Sequence, residues 1–233
     1  MQIYSFSAGP WQTNCYIVSP SDGSECLIID PGMKAAAQVR EVVAEHHLKP
    51  VAVLVTHGHI DHMWSVFPVA SGYGIPALVH PSDRALLSDP GLAISPETRT
   101  ALPSMMDVGE VFAEPDDVRE VTDNMTIDIA GFDITIRHAP GHTAGSVLYD
   151  FAASSGSDHR NVFTGDVLFA GAIGRTDLPS GSPSEMDESL RNVVLQLNND
   201  SQILPGHGPS SFMNIERDTN PYLLRIAQGL SAT

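Results

Sequence analysis

The residue types best suited to chemistry are concentrated in residues 56–62, which read Thr-His-Gly-His-Ile-Asp-His. The imidazoles of His57, His59 and His62 and the carboxylate of Asp61 stand within six residues. These groups are costly to bury as core, because each ring nitrogen and carboxylate oxygen needs a polar partner. Imidazole and carboxylate groups also bind divalent metals well. The segment therefore predicts a metal site, and a surface turn that happens to be rich in histidine is the alternative.

Three more candidate ligands lie farther along the chain, each just after a strand-like run and beside a glycine. They are His142, Asp166 and His207. Glycine has no side chain, so the backbone beside it can approach a bound group closely. One such position would be weak evidence. Three of them, after a His-x-His-x-Asp-His segment, strengthen the prediction of a metal site.

The elements around these residues indicate a layered α/β fold. Residues 51–55, which are apolar and mostly β-branched, predict a buried parallel strand before the histidine segment. An amphipathic pattern begins at Met63, and open α/β sheets place their chemistry at such turns from strand to helix. The two halves of the chain repeat the order strands, helix, strand and candidate ligand. This repetition predicts two facing β-sheets with helices outside, an αββα sandwich.

The other elements are predicted from apolar periodicity and from turn and capping residues. Strands are expected near residues 3–7, 13–18, 26–29, 77–80, 117–129, 132–138, 146–151 and 201–204, and helices near 34–46, 63–71, 183–197 and 222–229, with another from 81. Residues 154–159 are predicted to form a polar hairpin tip. Residues 89–107 contain three prolines and are either a partial lid over the site or an ordinary surface excursion.

The chain resembles the metallo-β-lactamase superfamily and, within it, the short bacterial glyoxalase II-like hydrolases. The similarity runs from the strand that begins at Thr13 to His207. It is most specific in residues 56–62, 141–146, 165–169 and 174–177. The resemblance implies an αββα sandwich of two mixed β-sheets flanked by helices. We expect one domain over residues 1–233, without the separate C-terminal helical domain of the longer glyoxalase II enzymes.

The resemblance also implies a binuclear metal site with seven protein ligands. The first metal would be held by His57, His59 and His142, the second by Asp61, His62 and His207, and Asp166 would bridge them. Imidazole and carboxylate ligands suit two divalent ions, with zinc expected and iron or manganese as alternatives. A metal-bridged hydroxide would be the nucleophile. Asp61 would have a catalytic role as well, accepting a hydrogen bond from that nucleophile and aiming it.

The predicted activity is hydrolysis of a 2-hydroxyacyl thioester similar to S-lactoylglutathione. No obvious acid is present to protonate a leaving group, and a thiolate, with a pKa of about 8.5, needs none. The resemblance places Arg175 where a basic side chain binds the anionic part of the substrate, although a salt bridge with Asp177 is an equal interpretation. Because the basic C-terminal domain is missing, a thiol carrier other than glutathione is possible.

Two other classes of enzyme stay open. Persulfide dioxygenases share ligation of the His57, His59 and Asp166 type, but they use one iron and O₂. Lactone or β-lactam hydrolysis is the second alternative. A binding module without activity is disfavoured, because all seven ligand positions are filled.

The composition restricts the partners. A net charge of -16 with only 12 lysines and arginines argues against nucleic acid, because phosphate binding needs clustered positive charge. No stretch approaches the roughly 18 apolar residues of a membrane helix, and the N-terminus lacks a signal pattern. We therefore expect a cytoplasmic protein that acts on a small molecule. Cys15 and Cys26 are expected to be buried thiols, and the oligomeric state is left open.

Overall fold

The computed structural model describes residues 1–153 and 159–232. Within these residues, two six-stranded sheets face each other. The first sheet runs in chain order through β1 (Gln2–Ala8), β2 (Thr13–Ser19), β3 (Glu25–Ile29), β4 (Lys49–Leu54), β5 (Ala77–Val79) and β6 (Val118–Glu120). Strands β1 to β3 pair antiparallel and β3 to β6 pair parallel, so the sheet is mixed.

The second sheet is also mixed and has the order β14-β13-β10-β9-β8-β7. Its strands are β7 (Thr126–Ile129), β8 (Phe132–His138), β9 (Val147–Phe151), β10 (Asn161–Gly165), β13 (Gln202–Pro205) and β14 (Ser211–Phe212). Only β10 and β13 pair parallel. A short hairpin of β11 (Leu168–Phe169) and β12 (Ala172–Ile173) lies beside this sheet.

The described residues also form eight α-helices. They are α1 (Ala36–Glu45), α2 (Ile60–Met63), α3 (Val66–Tyr73), α4 (Pro81–Arg84), α5 (Pro96–Met105), α6 (Pro183–Asn192), α7 (Met213–Thr219) and α8 (Pro221–Ala227). None of the helices within residues 1–153 and 159–232 is long and apolar enough to cross a membrane.

Three apolar layers hold the sandwich together. Alternation along β2 is the clearest example: Tyr16 and Val18 join the layer between the sheets, whereas Cys15 and Ile17 pack under the helices outside the first sheet. A third layer lies between the second sheet and helices α6 and α8. Because side chains alternate in direction along a strand, one apolar strand can serve two layers. The predicted αββα sandwich of two mixed sheets is confirmed.

Local contacts define the ends of several elements, and the predicted burial of the two cysteine thiols is confirmed. Ala130 and Gly131 both have positive φ angles, as a two-residue hairpin turn between β7 and β8 requires. The hydroxyl of Ser182 accepts a hydrogen bond from the backbone N–H of Glu185 and caps α6. Cys15 and Cys26 are buried free thiols. Most of the predicted hairpin tip at 154–159 lies outside the described residues.

Three predictions were wrong in ways that only packing explains. The helix expected at 63–71 is two helices, α2 and α3. They are separated where the N–H of Ser65 donates to the carbonyl oxygen of Pro31, after β3. The strand predicted over 117–129 is two strands in different sheets, since β6 pairs with β5 in the first sheet and β7 belongs to the second. The C-terminal segment contains α7 in addition to the expected helix.

The layer between the sheets gives a prediction about stability. The ring of Phe151 is fully buried between the rings of Phe132 and Phe163. Phe151→Ala should lower the free energy of unfolding by about 3–5 kcal/mol, because the substitution removes apolar contacts and leaves a cavity. Urea denaturation would measure the change. Val111→Ala, at an exposed apolar position, is the control and should change it by less than about 0.5 kcal/mol. Equal effects of the two substitutions would contradict this account of the core.

Candidate metal centre

Most of the candidate ligands lie in loops at one edge of the two sheets, and Asp61 and His62 lie in the short helix α2. Strand β4 leads into the loop that carries His57 and His59, β10 ends at Gly165 just before Asp166, and β13 ends shortly before His207. His142 lies in the loop before β9. The structure therefore brings all seven sequence-predicted ligands together, although they are spread over residues 57–207 of the chain.

The first cluster consists of three ring nitrogens from His57, His59 and His142. The Nε2 atom of His142 lies 2.7 Å from Nδ1 of His59 and 3.1 Å from Nε2 of His57. All three rings are buried. These three residues form a group whose ligand atoms lie close enough to hold one metal ion.

The second cluster consists of Asp61, His62 and His207. The Nε2 atom of His207 lies 3.1 Å from Oδ2 of Asp61 and 3.3 Å from Nε2 of His62. This group also has ligand atoms within reach of a single ion. The hydroxyl of Thr13 donates to Oδ2 of Asp61 at 3.0 Å and holds that carboxylate in place.

Asp166 lies between the two clusters. Its Oδ1 atom is 3.2 Å from Nε2 of His62, and its Oδ2 atom is 3.5 Å from Nε2 of both His142 and His207. Apart from this ion-pair contact with His62, Oδ1 of Asp166 is a buried oxygen without a hydrogen-bond partner among the described residues. A buried carboxylate oxygen needs such a partner or a cation. The position of Asp166 is therefore suited to a group shared by the two clusters.

Hydrogen bonds on the outer side of the rings determine which nitrogens can bind a metal. Nδ1 of His142 lies 2.7 Å from the carbonyl oxygen of Arg175, and Nδ1 of His62 lies 2.9 Å from Oδ2 of Asp30. Both oxygens accept hydrogen bonds, so we assign the proton of each neutral ring to Nδ1 and the lone pair to Nε2. Such outer partners are typical of metal-binding histidines.

His57 is oriented in the same way. The hydroxyl of Thr56 donates to Oδ2 of Asp30 at 2.6 Å, which leaves its lone pair to accept from Nδ1 of His57 at 3.1 Å. The lone pairs on Nε2 of His57 and of His142 then face each other across 3.1 Å. Two facing lone pairs repel each other unless a cation lies between them. The donor set of the first cluster therefore fits a bound metal ion.

The two clusters differ in their affinity for protons. Burial lowers the pKa of His57 well below its ordinary value, and burial together with the neighbouring His142 lowers the pKa of His59 to about 3. Burial alone would also lower the pKa of His207, but hydrogen bonds to Asp166 and Asp61 outweigh it and raise that pKa to about 9.

The carboxylates of the second cluster show the reciprocal effect. Burial alone would raise the pKa of Asp61, but the charge of His62 and a hydrogen bond from His207 hold it at about 2. Burial alone would lower the pKa of His62, but the carboxylates of Asp166 and Asp61 raise it well above its ordinary value. A metal ion must therefore displace protons from the second cluster, whereas the rings of His57 and His59 are already neutral.

Sequence reasoning missed two buried aspartates that hold the site from outside. Asp30 accepts hydrogen bonds from the backbone N–H and the hydroxyl of Thr56, and it contacts His62. Asp83 accepts from the N–H groups of Gly58 and Gly145, and so joins the loops of the first cluster. Asp30 directly follows a strand, as Asp166 does, and that position was a signal that could have identified it.

The loop of His207 is held by the first sheet. Backbone N–H of Asn14 donates to the carbonyl oxygen of Gly206 at 2.7 Å, and its side-chain amide donates to the carbonyl oxygens of Pro205 and Gly208. A Cβ atom at Gly206 would lie 2.2 Å from Oδ1 of Asp166. Only glycine lets this backbone pass so close to the ligands.

Other candidate residues lie outside the clusters. Arg175 lines the cleft over the site, and its guanidinium donates to both carboxylate oxygens of Asp177, at 2.6 and 2.8 Å. His80, at the end of β5, caps α4 and stacks on His138 with ring centroids 4.0 Å apart. From the segment 89–107, residues 93–95 and Thr98 line the cleft.

Comparison with known proteins identifies the family. Residues 8–207 match the metallo-beta-lactamase superfamily. An uncharacterized protein of Mycobacterium tuberculosis is 40% identical over 232 residues, which cover 99% of this chain and 100% of that protein. Hydroxyacylglutathione hydrolase GloC of Haemophilus influenzae is 30% identical over 226 residues, which cover 96% of this chain and 98% of that protein.

Two solved structures share the fold over nearly their whole length. BLEG-1 B3 metallo-beta-lactamase is 32% identical with a TM-score of 0.79, and the match covers 95% of this chain and 99% of that chain. TTHA1623 in a di-iron-bound form is 32% identical with a TM-score of 0.74, and the match covers 94% of this chain and 100% of that chain. With its histidine and aspartate clusters that could hold metal ions, this chain belongs to the metallo-β-lactamase superfamily.

Proposed function

We propose that this chain is a binuclear metal-dependent hydrolase that cleaves a 2-hydroxyacyl thioester. The observation that carries the proposal is the pair of adjacent ligand clusters with Asp166 between them. His57, His59 and His142 would hold the first ion, Asp61, His62 and His207 the second, and Asp166 both. Zinc suits these ligands, and the di-iron form of TTHA1623 makes iron the main alternative.

The metal ions, when bound, supply an activated water and polarise the thioester carbonyl. Asp61 lines the cleft, and its low pKa of about 2 keeps the carboxylate ionised at neutral pH. It can therefore accept a hydrogen bond from the attacking water and aim it at the carbonyl carbon. Thr13 keeps Asp61 in position through its hydrogen bond to Oδ2. One water is consumed, the C–S bond breaks, and a 2-hydroxy acid and a thiol are released.

The residues that line the cleft favour a thiolate as the leaving group. Apart from the candidate ligands, the described lining residues with a proton on nitrogen or oxygen of the side chain are Trp11, Ser95, Thr98 and Arg175. None of these groups ionises near neutral pH. An amine leaving group needs a proton from an acid, whereas a thiolate leaves without one at a pKa of about 8.5. This favours a thioester over a β-lactam, the substrate suggested by the name of BLEG-1.

A persulfide dioxygenase is the second hypothesis, and metal content separates it from the first. It predicts one iron per chain and oxygen consumption with a persulfide. The donor atoms of the second cluster, like those of the first, lie close enough together to hold one ion, which favours two ions. Lactones contain an ester carbonyl, so they are tested as substrates beside the thioesters.

The proposed activity is tested directly on the metal-loaded protein. We expect it to hydrolyse members of a panel of 2-hydroxyacyl thioesters, with loss of activity after chelation and recovery after metal addition. His59→Ala should reduce turnover by at least about a hundredfold, because it removes a ligand that positions the first ion. Val111→Ala is the matched control. Intact thioesters with two metals bound, or near-normal turnover by His59→Ala, would refute the proposal.

The different proton affinities of the two clusters predict how metal content depends on pH. Below the raised pKa of His207, each unit of falling pH should weaken metal binding by the second cluster about tenfold for each proton displaced. The rings of His57 and His59 stay neutral, so the first cluster should lose much less affinity. Dialysis followed by elemental analysis should find two ions per chain at about pH 8.5 and one at about pH 5.5.

Two variants identify which ion is lost. The single ion that is retained at low pH should remain in His207→Ala and be lost from His59→Ala. Simultaneous loss of both ions, or the opposite order, would contradict the assignment of the clusters.

The outer hydrogen bonds give a further expectation. Asp30→Asn keeps the size of the side chain but removes the charge that holds His62 and Thr56. We expect metal affinity to fall by about 10–100-fold, as measured by competition with a chromophoric chelator. Asp133→Asn, at an exposed position on β8, is the control and should leave the affinity unchanged. Equal affinities of the two variants would show that Asp30 has no part in holding the site.

A further inference from the structure

One side of the cleft over the metal centre is apolar. Trp11, Ile60 and Ile94 line the cleft, and they belong to one apolar cluster that also contains Met33 and Trp64. Ile60 and Ile94 are buried, and Trp11 is half-buried. We call these three residues the apolar wall. Leu178 adds apolar surface elsewhere in the same cleft.

Away from the metal centre, the described residues that line the cleft carry one positive charge, and that charge is paired with a carboxylate. Among the described residues that line it, Arg175 is the only lysine or arginine. Its guanidinium donates two hydrogen bonds to Asp177, so both donors that face this carboxylate are in use. The pair is exposed and therefore weak, but the carboxylate stays beside the guanidinium and cancels its field.

Two of the cations near this part of the chain are paired with carboxylates, Lys34 with Asp107 at 3.1 Å and Arg84 with Glu114 at 2.8 Å. The guanidinium of Arg99, next to the lining residue Thr98, donates to the backbone carbonyl oxygen of Gly91 instead. The chain as a whole carries a net charge of -16. Away from the metal centre, a ligand with a carboxylate of its own would meet this negative field, and the one lysine or arginine among the described lining residues is already paired with a carboxylate.

We propose that the thiol part of the substrate is uncharged and contacts the apolar wall, and that Asp177 disfavours anionic thiols. The inference rests on the proposed thioesterase function and names its substrate class. A 2-hydroxyacyl group is small, and its carbonyl must reach the ligand clusters. The remainder of a cleft of about 260 Å³ is therefore left to the thiol part, beside Trp11 and Ile94.

A matched pair of substrates tests this inference. The two are the S-D-lactoyl thioesters of N-acetylcysteine and of N-acetylcysteinamide, which differ only in a carboxylate or a carboxamide. The metal-loaded protein should have a kcat/KM at least about tenfold higher for the carboxamide, mainly through a lower KM. Equal values, or preference for the carboxylate, would overturn the inference. If the protein hydrolyses neither thioester, both the proposed function and this inference are refuted.

Two substitutions test the residues separately. Asp177→Asn should raise kcat/KM for the carboxylate thioester several-fold and reduce the preference for the carboxamide thioester. The reason is that the charge of Arg175 then has no carboxylate partner. Asp200→Asn is the control, because it removes the same charge from an exposed position at the end of β13 opposite to His207. It should leave the preference for the carboxamide thioester unchanged. Trp11→Ala should raise KM for the carboxamide thioester several-fold with little change in kcat. The inference fails if Asp177→Asn behaves like Asp200→Asn, or if Trp11→Ala leaves KM unchanged.

Discussion

The arrangement of the candidate metal centre depends on the buried carboxylate of Asp30. It lies directly after β3 and accepts hydrogen bonds from the backbone and the hydroxyl of Thr56, at the end of the adjacent parallel strand β4. Its contact with His62 reaches the second cluster. Through Thr56 it also orients His57 in the first cluster. This one carboxylate thus helps to determine which nitrogens of His57 and His62, one ring in each cluster, face inward.

Asp83 and Asn14 extend the same principle to the other loops. Asp83 binds the backbone of Gly58 and Gly145, and Thr143 donates its hydroxyl to the same carboxylate. Asn14 holds the backbone on both sides of His207. These bonds satisfy loop backbone that would otherwise be unpaired at the edge of the sheets. They place the ligands on rigid strand ends, which a metal site needs if its geometry is to be maintained.

The electrostatics of the site are local and differ from those of the whole chain. Three imidazoles form one cluster, whereas the other combines two histidines with the carboxylate of Asp61, and Asp166 lies between. Two divalent ions would concentrate positive charge at one end of a cleft whose other lining is apolar or compensated. In the proposed function, these ions would attract the reacting carbonyl, and the apolar wall and the Arg175–Asp177 pair would decide which substituents can accompany it.

The sequence by itself determined which residues can act as metal ligands, which strands precede them and which layers these strands form. The segment 56–62 could be interpreted because its pattern is local, and the apolar strands predicted the sandwich because alternation is a property of adjacent residues. Only the tertiary structure decided that Asp30 and Asp83 hold the ligand loops, that α2 ends before Ser65, that β6 joins the first sheet, and that Asp177 compensates Arg175. Most of these depend on contacts between residues far apart in the chain. The pairing of Arg175 with Asp177 depends on side-chain direction. Neither the long-range contacts nor the direction of the Arg175 side chain is encoded in a local sequence pattern, because packing of the whole sandwich selects the partners.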